Sequence, residues 1–226
     1  MVRAVVFDLW NTLVHSQGGD PFLHLLELMT PEQARLYPAF KRDAMVQAHA
    51  DARTLLERWR PRMGLDSRQF DAMVGVFEAA LADAVCFPET LPALEAAREV
   101  ARLGLLSNTQ GFDLELLERL GVNARIPNRF LSAETGFLKP EPGAFATVQK
   151  RMGLFPGELA MVGDSWHDDV EGALAAGWTA IWINRRGLPR PAHDPDAPLV
   201  ELPDLARVAE VVEALQAGAR CSTCLG

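Results

Sequence analysis

Four times along this chain a short apolar run stops abruptly at a polar cluster: residues 3–7 (RAVVF) before DLWNT, 104–106 before SNTQG, 159–162 before GDSWHDD, and 179–183 before NRRG. Short runs without polar alternation are how strands covered on both faces read. Helix-like stretches at 90–103, 112–120, 141–153 and 168–176 accompany them. This alternation predicts an α/β fold built on a doubly wound, mostly parallel sheet. Ligands collect at the carboxyl ends of the strands in such sheets, so the four polar clusters are expected to converge on one crevice.

Residues 15–86 break the alternation, because after SQGGD they show only helical periodicity. Thr30, Pro31 and Gln33 have the spacing of an N-cap, a first-turn proline and the third member of a capping box. Pro38 is expected to split that helix near its start, Gly64 to end a later segment, and Ser67 to cap a helix running to about Val85. Two units follow from this: a core of residues 1–14 and 87–226, and an all-helical cap of residues 15–86 serving as a lid. The tail at 188–203 is proline-rich and reads as loop, and 205–215 has the spacing of a terminal amphipathic helix.

Composition narrows the partners. The net charge of −8 leaves no basic face for a phosphate backbone, which argues against nucleic acid. No apolar run approaches the roughly 20 residues that cross a bilayer, and no signal pattern develops before the first Asp, so no membrane association and a cytoplasmic location are expected. Cys86, Cys221 and Cys224 are too few and too uneven for a disulfide framework. Cys221 and Cys224 have the spacing of half a zinc site, but no further ligands accompany them. A monomer or homodimer is expected.

The polar clusters carry the chemistry. Asp8 stands just past the first strand, where the amides of a turn can orient its carboxylate. Ser107 and Asn108 follow the second strand with a hydroxyl and an amide suited to phosphoryl or carboxylate oxygens. Lys139, in GFLKPEPGAF, can project a fixed positive charge into the crevice. Asp164, Asp168 and Asp169 place three carboxylates within six residues. With Asp8 they bring four negative charges against one Lys, an arrangement whose repulsion calls for a divalent cation. A hard, oxygen-preferring ion such as Mg²⁺ suits this set, and His167 reads as a helix-start residue. Trp59 and Phe77 are expected in the core, and most of the cap's arginines on solvated faces.

The order DLWNTL, helical insertion, LLSN, FLKP and VGDSWHDDVEGA resembles the four motifs of the haloacid dehalogenase (HAD) superfamily. The likeness is to the subgroup whose helical cap follows the first motif, and it spans nearly the whole chain. It implies that Asp8 is the nucleophile of a covalent intermediate, and that Thr12, Ser107 and Lys139 hold the substrate group and stabilise the intermediate. It also implies Mg²⁺ bound by Asp8, the Trp10 backbone carbonyl, Asp164 and one of Asp168 and Asp169. Asp169 is the better match, because it begins DVEGA. The implied substrate is a small phosphate ester.

One position departs from the pattern. The family's phosphatases carry an Asp two residues after the nucleophile as general acid and base, and here Trp10 stands there. An acid and base of this kind typically contribute about 10²–10⁴ in rate. Three outcomes are open. The chain is a phosphohydrolase whose leaving group needs little protonation or takes its proton from the cap or substrate. It is a 2-haloacid dehalogenase, which also has an aromatic residue at this position, with Arg42 holding the halide. Or it is a non-catalytic binding or regulatory protein. Asp164 argues against dehalogenation, because those enzymes carry an uncharged residue there. Phosphonate cleavage would need a cap lysine, and only Lys41 is available. Arg42, Lys41 and Trp10 are thus the candidate substrate-binding residues.

Overall fold

A computed structural model describes residues 1–112 and 114–218. In chain order its elements begin with β1 (Ala4–Phe7), β2 (Val14–Ser16), α1 (Pro21–Glu27), α2 (Pro31–Ala34), α3 (Tyr37–Val46), α4 (Ala52–Met63), α5 (Ser67–Ala82) and β3 (Ala84–Cys86). They continue with α6 (Thr90–Val100), β4 (Arg102–Ser107), α7 (Glu115–Arg119), β5 (Asn128–Leu131), α8 (Ser132–Thr135) and α9 (Pro142–Met152). The last are β6 (Leu159–Gly163), α10 (Gly172–Ala175), β7 (Thr179–Ile183), β8 (Leu199–Leu202) and α11 (Val208–Gln216).

Six strands form one sheet in the order β5-β4-β1-β6-β7-β8, every pair parallel. The doubly wound expectation is met. The alternation of side chains along β1 explains why both faces must be covered. Val5 and Phe7 enter one apolar cluster with Leu94 of α6 and Val211 of α11, while Ala4 and Val6 enter another with Phe145 of α9 and Trp178. All four β1 residues are fully buried, and each large apolar side chain so covered contributes about 1.5–3 kcal/mol. From β1 the order runs to β4 on one side and β6 on the other. The crevice at that reversal is where a ligand is expected.

The strands that the sequence reading missed are β5 and β8, the two edges of the sheet. β5 reads NRFL and β8 reads LVEL, so neither shows the uninterrupted apolar run of a doubly covered strand. The tail at 188–203 is therefore not all loop. Between β1 and α6, the insertion is not all helical, because β2 and β3 pair antiparallel at its two ends, with Val14 opposite Cys86. Thr30 and Gln33 form the expected capping box, and Gly64 ends α4 in the left-handed conformation, φ 63°. Pro38 lies in the first turn of α3 and opens that helix instead of splitting one. Asp66, not Ser67, caps α5, which ends at Ala82. The helices α1, α3, α4 and α5 share an apolar cluster of their own around Phe22, Phe40, Trp59 and Phe77, joined by Phe112 and Leu116 from the sheet-bearing part. Among the described residues no helix is long and apolar enough to cross a membrane. Cys221 and Cys224 lie outside the described residues.

Candidate active site

Asp8 follows β1 directly, and its backbone N–H donates to the Val162 carbonyl at 2.8 Å, tying it to β6. The chain then makes one tight turn, in which the amides of Leu13 and Val14 both donate to the Leu9 carbonyl. Asn11 takes a left-handed φ of 61° there, a conformation that Asn tolerates better than most residues. The turn brings the Thr12 hydroxyl to β6, where it accepts from the Asp164 amide at 3.0 Å. Thr12 is fully buried, so it holds the Asp164 loop in place.

Lys139 is drawn into the same place from the other side. Its Nζ donates to Asp8 Oδ1 and to Asp169 Oδ1, both at 2.6 Å. The Asn108 amide holds the lysine's backbone at both ends, Nδ2 donating to Lys139 O at 2.9 Å and Oδ1 accepting from Lys139 N at 2.7 Å. Asn108 was expected on the substrate; in the structure both ends of its carboxamide meet the Lys139 backbone, while the residue also lines the site cavity. Asp169 Oδ2 accepts from the Ser165 amide at 3.0 Å. A π-helical turn over Trp166–Glu171, capped by the Ser165 hydroxyl, carries Asp169 back under the strand end. That return requires glycine at 163, since a Cβ there would stand 2.1 Å from Asp169 Oδ2.

Three carboxylates therefore meet, with one oxygen each of Asp8, Asp164 and Asp169 within 4.8 Å of one another. Burial, and then the Asp8 charge, push Asp164 up to about 7, with Lys139 offsetting part of the rise. Asp169 is raised by its burial first, then by Asp8 and Asp164, against the pull of Lys139. Asp168 is raised by burial but stays outside the trio. For Lys139, burial opposes the charge, yet Asp169 and Asp8 outweigh it and hold the ammonium protonated. One lysine leaves this cluster short of positive charge. The donors are all hard oxygens, the set that a divalent cation such as Mg²⁺ takes. Ser107 Oγ is also buried without a partner among the described residues, an orphan that a ligand oxygen would satisfy. The residues present fit a metal and an oxyanion together.

The cluster opens into a cavity of about 530 Å³. Of the residues expected from sequence, Asp8, Trp10, Asn108, Lys139, Asp164, Asp168, Asp169 and Lys41 line it, whereas Thr12, Ser107 and Arg42 do not. Arg42 is exposed, and its guanidinium pairs with Glu141 just before α9. The Trp10 indole donates its N–H to Thr109 Oγ1 at 3.1 Å and packs against both the sheet cluster and the insertion cluster. His167 is exposed and pairs with Glu171 at 2.8 Å. Gln110, Asp20, Phe22 and Arg186 also line the cavity, and sequence reasoning did not single them out. Gln110 and Arg186 belong to the polar clusters SNTQG and NRRG that follow two strands, which is the signal that could have found them.

Residues 2–177 match the family model described as haloacid dehalogenase-like hydrolase. A glyceraldehyde 3-phosphate phosphatase of Methanopyrus kandleri is 32% identical over 151 residues, 64% of this chain and 64% of that protein. A phosphoserine phosphatase of Thermus thermophilus is 39% identical over 116 residues, 50% of this chain and 45% of that protein. The matches to these two relatives span less than two thirds of their length. The crystal structure of a 2-haloacid dehalogenase from Pseudomonas syringae pv. Tomato DC3000 superposes with a TM-score of 0.69 at 24% identity, over 95% of this chain and 100% of that one. At that identity the likeness speaks for the fold alone.

Proposed function

From the premise that this chain belongs to the haloacid dehalogenase-like hydrolase family, we propose that it is a Mg²⁺-dependent hydrolase of a small phosphorylated metabolite, acting through an aspartyl phosphate on Asp8. The observation that carries the reading is the meeting of the Asp8, Asp164 and Asp169 carboxylates around the buried Lys139 ammonium. A haloacid anion would meet an uncompensated carboxylate at Asp164. A phosphate dianion with a divalent cation would not, and this favours phosphoryl transfer over dehalogenation. The phosphatases among the similar proteins point the same way.

Asp8, Asp164 and Asp169 would hold the metal, directly or through water, and the Trp10 carbonyl is a further candidate ligand. When bound, Mg²⁺ neutralises the carboxylates and shares the negative charge of the phosphoryl oxygens. Lys139 would orient the Asp8 carboxylate toward the phosphorus through its 2.6 Å hydrogen bond. The Ser107 hydroxyl, buried without a partner among the described residues, would donate to a phosphoryl oxygen, and Asn108 would hold the lysine in register. The helices of the insertion, acting as a cap over the cavity, exclude bulk water, so these charges act at low dielectric. Attack by Asp8 gives the aspartyl phosphate, which water then hydrolyses.

The test is a panel of phosphomonoesters together with 2-chloropropionate, each assayed with Mg²⁺ and with EDTA. Metal-dependent phosphate release, lost by at least about 10³-fold in Asp8→Asn with the fold intact by circular dichroism, is expected. EDTA-resistant chloride release would establish dehalogenation instead, and silence on every substrate a non-catalytic role.

A further inference from the structure

Gln110 is 4% exposed and lines the same cavity as Asp8 and Trp10. Its carboxamide nevertheless has no hydrogen-bond partner among the described residues. A carboxamide in a cavity wall with no partner in the protein is open to water or to a ligand. Its backbone is held from both sides. Thr109 receives the Trp10 indole N–H at 3.1 Å, donates its amide to Ser132 Oγ at 3.0 Å, and accepts from that hydroxyl at 3.1 Å through its carbonyl. Gly111 is wedged where insertion and core meet, since a Cβ there would stand 2.9 Å from Ala133 Cβ and 3.5 Å from the Ala48 backbone. With both neighbours fixed, the Gln110 side chain is presented to the cavity.

We propose that Gln110 is a catalytic residue whose carboxamide N–H donates to the leaving-group oxygen. Trp10 cannot fill this role, because its single N–H is committed to Thr109. The inference rests on the phosphoryl-transfer reading above. In the first step an Asp8 oxygen bonds to phosphorus, and the bond from phosphorus to the leaving oxygen breaks with its electron pair passing to that oxygen. The leaving group departs as an anion stabilised by the Gln110 N–H and is protonated afterwards by solvent. In the second step a water oxygen bonds to phosphorus and the Asp8 carboxylate leaves with its electron pair. Both water protons stay on the dihydrogen phosphate released. A carboxamide offers a hydrogen bond but no proton. The substrate class is thereby narrowed to phosphates whose leaving group is stable as an anion, such as acyl, enol or aryl phosphates.

The experiment uses substituted phenyl phosphates of graded leaving-group acidity, with Mg²⁺, on the full chain and on Gln110→Leu, Gln110→Asn and Asp8→Asn. Gln110→Leu should lower kcat by about 10²-fold for the least acidic phenols and far less for the most acidic, with KM nearly unmoved. The dependence of kcat on leaving-group pKa then steepens. An unchanged slope, with or without a uniform loss of rate, overturns the proposal, because damage to the fold or to general positioning slows all substrates alike. If Gln110→Leu does not fold, Gln110→Asn, which withdraws the amide by one methylene, must show the steeper slope. Failure of the underlying reading is separately visible as phosphate release that persists in Asp8→Asn, or that is absent from the unaltered chain on every phenyl phosphate.

Discussion

On the core side of the cavity, Asp8, Asn108, Lys139 and Asp169 are tied to one another or to backbone amides and carbonyls by hydrogen bonds of 2.6 to 3.0 Å. Across from them the insertion contributes Phe22, Met45 and Ala80, with Lys41 lying 5.3 Å from the Phe22 ring centroid and Asp20 capping α1. The first wall is a closed network in which displacing the lysine disturbs both carboxylates it joins. The second presents mostly apolar side chains, Phe22 and Met45 among them, packed on the insertion's own cluster. Groups that meet phosphorus must be held to within about 0.5 Å, while the remainder of a substrate needs only a shaped, mostly apolar surface. On the function proposed above, reaction type would lie with the core side and substrate choice with the insertion side.

The largest expected effect tests the closed network. Lys139→Met leaves Asp8 and Asp169 buried and facing each other without their shared cation, and should cost about 3–5 kcal/mol in urea unfolding without metal. A loss below about 1 kcal/mol would mean that the lysine does not hold the carboxylates together.

A pH series sharpens the same point. Without metal, Asp164 titrates near 7 instead of its ordinary 3.8, so the folded state keeps a proton that the unfolded chain releases. Its contribution to stability is complete below the lower value and is lost as pH rises through the higher one. The thermal midpoint in EDTA should accordingly fall between about pH 5 and pH 8, and saturating Mg²⁺ should remove the decline. A midpoint that rises over that range in EDTA would contradict the crowding of the carboxylates.

On the opposite wall the effects are smaller and of another kind. Lys41→Ala should raise KM by up to about 10-fold for substrates with a second anionic group and leave kcat nearly unchanged. A matching fall in kcat would move Lys41 into the chemical step. Smallest of all, Arg42→Ala removes an exposed ion pair with Glu141 and should change stability by less than about 1 kcal/mol. KM should hold within about twofold, because Arg42 does not line the cavity. A large rise in KM would restore Arg42 as a substrate ligand.

Much of the framework was legible because burial on both faces leaves a local mark. The strands β1, β4, β6 and β7 each contain an apolar run that ends at a polar cluster, and all four were placed. The edge strands β5 and β8, along with the short β2 and β3, leave no such mark, since pairing with a distant partner and not apolar content makes them strands. The acidic residues were legible by type, and Asp169 was preferred over Asp168. The contacts of Thr12 and Asn108 were not, because their hydroxyl and carboxamide meet Asp164 and Lys139, 152 and 31 residues away.

By itself the sequence determined which chemistry is available: apolar runs set the strands, and a polar cluster directly after each run had to emerge at the same edge of a parallel sheet. Tertiary structure alone decided which of those polar atoms remain free. The Trp10 indole turns to Thr109, Arg42 turns to Glu141, and Gln110 faces the cavity without a partner among the described residues. Those outcomes depend on hydrogen-bond partners brought together from elements some hundred residues apart, as with Trp10 and Thr109 at 99, and no local pattern encodes such a meeting.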